Sequence, residues 1–149
     1  MPSLVRWNTP FTDVRWPSVS VAVAEKLGTQ GQTTLMAIIA PHGIDKYPKY
    51  IVNFGEAIAF TCMEEAFCPE RDFYTATIEE PELATYQYLD SPWLKAYENG
   101  RHFIARGHLG EFFHYLIFGG DNNLEVITPY QPTIKIIEHS KILKIDFEV

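Results

Sequence analysis

Five histidines, two cysteines and a concentration of carboxylates are the side chains here whose types and spacing could do chemistry. His102, His108 and His114 recur every six positions. In one continuous strand an even spacing places all three on the same face. With Glu98 or Glu111 accepting from a ring N–H, such a set could hold zinc. Gly107 and Gly110 interrupt that geometry, and no HExxH or CxxC spacing occurs. No metal site and no cofactor is therefore expected.

His42 follows the apolar run Leu35–Ala40 in Ala40-Pro41-His42-Gly43. A polar residue on a loop leaving a buried strand is well placed for a site, and imidazole can exchange a proton near neutral pH. His42, His108 and His114 are thus the candidate catalytic positions. Cys62 or Cys68 beside His42 or His114 would make a thiol nucleophile, but no glycine-rich oxyanion loop surrounds either cysteine. Cys62 sits in an apolar alternation and reads as core. The signatures GxSxG, GxxxxGK[ST] and GxGxxG are absent. Arg101 and Arg106 flank Phe103 as an anion site could, or as an ordinary surface does. Glu64-Glu65 and Glu79-Glu80 are adjacent pairs, and in a strand adjacent side chains point to opposite faces. That does not suit acid–base work on one bond.

The carboxylates are informative as a distribution. The chain has 149 residues and a formal net charge of −7. Between Glu64 and Asp90 lie eight acids and one base, Arg71, so this stretch carries the whole −7 while the rest is neutral. Phe67, Phe73, Tyr74, Tyr86 and Tyr88 are interleaved with them. The stretch reads either as a solvated loop or as a docking surface that steers a basic partner. For docking, the candidate contacts are Glu64, Glu65, Glu70, Asp72, Glu79, Glu80 and Glu82. Calcium is not indicated, since no DxDxDG spacing occurs. An acidic chain of this kind is a poor candidate for phosphate-driven nucleic-acid binding.

No membrane association is expected. The longest charge-free stretch, Leu27–Ile44, contains Pro41 and several Gly, Gln and Thr residues, too polar to span a bilayer. The first sixteen residues carry no apolar core of an export signal. Cys62 and Cys68 read as reduced thiols of a soluble cytoplasmic protein, although two thiols six apart can meet across a tight loop.

These side chains must be positioned by secondary structure, and the clearest signal lies near the C-terminus. Phe113–Phe118 and Leu124–Thr128 are aromatic and β-branched, and Gly119-Gly120-Asp121-Asn122-Asn123 between them supplies turn residues, predicting a β-hairpin. Tyr115, Ile117, Leu124 and Val126 would fill its apolar face, with His114 and Glu125 exposed. Thr133–Ile137 reads as a strand. Lys141–Val149 alternates as a final strand, or as a tail through which copies could associate. Tyr50–Phe54 and Ala57–Met63 read as a strand pair turning at Gly55-Glu56, or as one long strand with a bulge at Gly55. Ser91-Pro92 opens and Gly100 closes a short helix carrying Trp93, Leu94 and Tyr97 inward. Ser18–Leu27 is ambiguous: Val19, Val21 and Val23 alternate, whereas Ala22, Ala24, Glu25, Lys26 and Leu27 favour a helix, the reading preferred here. Leu35–Ala40 is a buried strand. The expectation is one α+β domain over residues 1–149, a mainly antiparallel sheet with two or three short helices on one face.

Two functions fit these features. The first is a non-catalytic interaction domain, immunity-like or an adaptor, that presents its acidic surface to a basic protein. The alternative is a small enzyme or ligand-binding module using histidines beside an aromatic pocket.

Overall fold

The computed structural model describes residues 1–25, 33–64, 76–98 and 111–139. The strands are β1 (Ser3–Arg6), β2 (Ser18–Glu25), β3 (Thr33–Ala40), β4 (Lys49–Gly55) and β5 (Ala59–Glu64), followed by β6 (Thr77–Ile78) and β7 (Thr85–Leu89). Helix α1 (Pro92–Glu98) then precedes β8 (Phe113–Phe118), β9 (Asn122–Thr128) and β10 (Thr133–Ile137). One sheet has the order β5-β9-β8-β7-β1-β6 and the other β10-β4-β3-β2. All pairings are antiparallel except β1 with β6.

This is a mainly β architecture, which corrects the α+β expectation of two or three helices. Among the described residues α1 is the one α-helix, and it is not long and apolar enough to cross a membrane. The error lies chiefly in residues 18–25. Helix propensity differences amount to less than about 1 kcal/mol per residue, whereas β2 pairs with β3 along its whole length, from Ser18↔Ala40 to Glu25↔Thr33. Tertiary pairing overrides the local preference, and the valine alternation is the decisive signal.

The two middle strands are where they were expected, but they do not pair with each other. β4 belongs to the smaller sheet and β5 to the larger, so the chain changes sheets between them. Gly55 makes the departure possible. Its φ is +69°, and the register slips from Met36↔Asn53 to Leu35↔Gly55, leaving Phe54 as the extra residue of a bulge. The C-terminal segment 141–149 lies outside the described residues.

The core fills the space between the sheets. Val19, Leu35, Ile39, Val52 and Phe54 from the smaller sheet meet Tyr115, Ile117, Leu124 and Val126 from the larger. Each such apolar side chain contributes about 1.5–3 kcal/mol when fully buried. Trp7 closes one side, its ring 4.7 Å from that of Tyr115.

The β8–β9 turn also joins the sheets. The hairpin forms as expected, with Gly119, Gly120 and Asp121 between its strands. Gly119 N–H donates to Asn122 O (3.0 Å) and Gly120 N–H to Pro17 O (2.9 Å). Asp121 Oδ1 accepts from the N–H groups of Val19 (2.9 Å) and Asn122 (2.8 Å), and Oδ2 accepts from Ser18 Oγ (2.8 Å). Asn122 Nδ2 donates to Val19 O (2.9 Å).

Partial burial works against the Asp121 carboxylate, but these donors outweigh it and hold its pKa below the ordinary value. A depressed folded pKa stabilises the fold above the unfolded carboxylate pKa of about 3.9, and that stability is lost as pH falls through the folded value. Asp121→Asn is therefore expected to cost about 1–2 kcal/mol at pH 7. The gap to wild type should close as urea unfolding is repeated towards pH 2.5. A gap that stays constant with pH would contradict this role.

Candidate functional site

Helix α1 starts where its sequence says it should. Ser91 Oγ accepts the Leu94 N–H (3.1 Å) and the Ser91 carbonyl accepts the Lys95 N–H (3.0 Å). Pro92, which has no N–H to satisfy, takes the first helical position. The helix packs on the face of the larger sheet that points away from the smaller one. There Leu94 meets Phe112 and Ile127, with Ile58 and Trp93 beside them.

Beneath the cap lies a polar chain that the sequence reading did not assemble. Ser91 Oγ is 2.6 Å from His114 Nδ1, and His114 Nε2 is 3.0 Å from Glu125 Oε1. Glu125 Oε2 accepts from Thr61 Oγ1 at 3.4 Å. Tyr88 stacks on the imidazole at 5.2 Å, and Trp93 meets it edge-on at 5.3 Å. His114 and Glu125, expected to be exposed, retain only 1% and 8% of their accessible surface, and Ser91 retains none. The reason is topological. His114, Leu116 and Phe118 do share the face opposite the inter-sheet core, but α1 and its neighbours cover that face as well.

Donors and acceptors form one consistent series when the imidazole proton sits on Nε2. Leu94 N–H donates to Ser91 Oγ, Ser91 O–H donates to His114 Nδ1, and His114 Nε2–H donates to Glu125. A serine–histidine–carboxylate set invites comparison with hydrolytic triads, but the connections are reversed. In a triad the nucleophile binds Nε2 and the carboxylate binds Nδ1. Here the serine is also sealed from solvent and engaged as a helix cap. The arrangement anchors the N-terminus of α1 to β8 and β9.

The other proposed catalytic positions do not join it. His42 is exposed in the turn after β3, in the other sheet. His108, like His102, lies outside the described residues. Cys62 on β5 packs half-buried against the inter-sheet core, and Cys68 lies outside the described residues. Among the described residues no group of three or more His, Cys, Asp or Glu side chains is placed to hold a metal ion.

The acidic stretch is divided. Glu64 ends β5 at one edge of the six-stranded sheet, whereas Glu79, Glu80 and Glu82 follow β6 at the opposite edge. Five strand spacings put these edges about 24 Å apart. Glu65, Glu70 and Asp72 lie outside the described residues. At the β6 edge Arg6 joins Asp13 (2.7 Å) and Glu80 (3.0 Å), and Arg15 reaches Glu82 at 3.6 Å. Asp90 meets the N-terminal ammonium at 3.3 Å. Hydrogen bonding from Arg6 holds the Asp13 pKa down, yet exposed pairs of this kind are screened by solvent and contribute little to stability. Asp13, Glu79, Glu80 and Glu82 thus outnumber Arg6 and Arg15 by two charges on this rim.

Parity along β8 is the signal by which the buried network could have been found. A strand whose two faces are both apolar is covered on both sides, so a histidine within it needs internal partners. No protein-family model, curated protein or solved structure matches this chain.

Proposed function

We propose that this chain is a non-catalytic interaction domain, immunity-like or an adaptor, acting in the cytoplasm and engaging a basic protein through the rim beside β6. The observation that supports it most is the exposed surface formed by Asp13, Glu79, Glu80 and Glu82, with two more acids than bases. Apolar anchors stand next to it: Ile78 is 46% exposed, and Trp16, under Arg15, is 57% exposed. Tryptophan beside charge is the composition of interface hot spots, and an acidic rim raises the encounter rate with a basic partner. The sealing of Ser91 and His114 weighs against the enzymatic alternative.

The test is affinity purification from the native host at low and high salt, using wild type and a Glu79→Lys/Glu82→Lys variant. A basic protein retained at low salt, released at high salt and lost with the variant is expected. Binding that is insensitive to both salt and charge reversal would overturn the reading.

A further inference from the structure

We draw no further inference here: the strongest candidate, the exposed corner of the β6 rim where the Arg15 guanidinium lies over the Trp16 ring and 3.6 Å from Glu82, belongs to the acidic surface already described, and nothing among the described residues shows what covers it.

Discussion

His114→Ala is expected to destabilise the protein by about 3–5 kcal/mol. The substitution opens a cavity between Tyr88 and Trp93 and takes from Glu125 the imidazole that bonds its Oε1. Cavity formation and the breaking of a buried charge-bearing pair are each among the costliest single changes. The diagnostic comparison is His114→Leu with His114→Leu/Glu125→Leu. Removing both polar partners together avoids leaving Glu125 Oε1 without its imidazole partner, so the double variant should be no less stable than the single. Urea unfolding gives both values. A loss below about 1 kcal/mol for His114→Ala, or a double leucine variant clearly less stable than His114→Leu, would mean the network does not hold α1 to the sheet.

Gly119→Ala is expected to cost about 3 kcal/mol or more, from crowding rather than from lost contacts. A Cβ there would press on the carbonyl oxygen of Asn122 and lie 2.7 Å from Val19 Cγ2 and 2.8 Å from Pro17 O. Two of the three neighbours are backbone and cannot swing away, which puts this case at the upper end of overpacking costs. At Gly120 the nearest atom, Trp16 O, would be 3.1 Å away, so Gly120→Ala should be clearly milder. Equal melting temperatures for the two variants would show that the turn is free to shift, contrary to its bonding to Pro17 and Val19.

What could be read from the residues depended on how local its cause was. The β8–β9 hairpin and the Ser91 cap follow from neighbouring side chains, and both form as the turn and capping chemistry requires. The sheet that each strand joins has no local cause. Nothing between Phe54 and Ala59 shows that β4 and β5 part company, although Gly55 marks the place. The same limit applied to His114 and Glu125. Period-two alternation separates two faces but does not say that one is solvent, and here α1 had to be folded back before the second face was covered. The acidic stretch was legible as composition. Its division between opposite sheet edges was not, because that depends on where β5 and β6 sit among strands distant in sequence.

The way distant strands interleave also constrains the making of the chain. Val19 meets Asp121 across 102 positions, and Thr12 meets Thr85 across 73. β2, β3 and β4 can assemble as soon as they leave the ribosome, but the layer that shields their apolar side contains β8 and β9. At about 5–20 residues per second, the 73 positions from Gly55 to Thr128 take roughly 4–15 s to add. For that interval Leu35, Ile39, Val52 and Phe54 have no permanent neighbours, a state that invites chaperones. A message truncated before Thr128 would yield a product fit for proteolysis, not a smaller working protein.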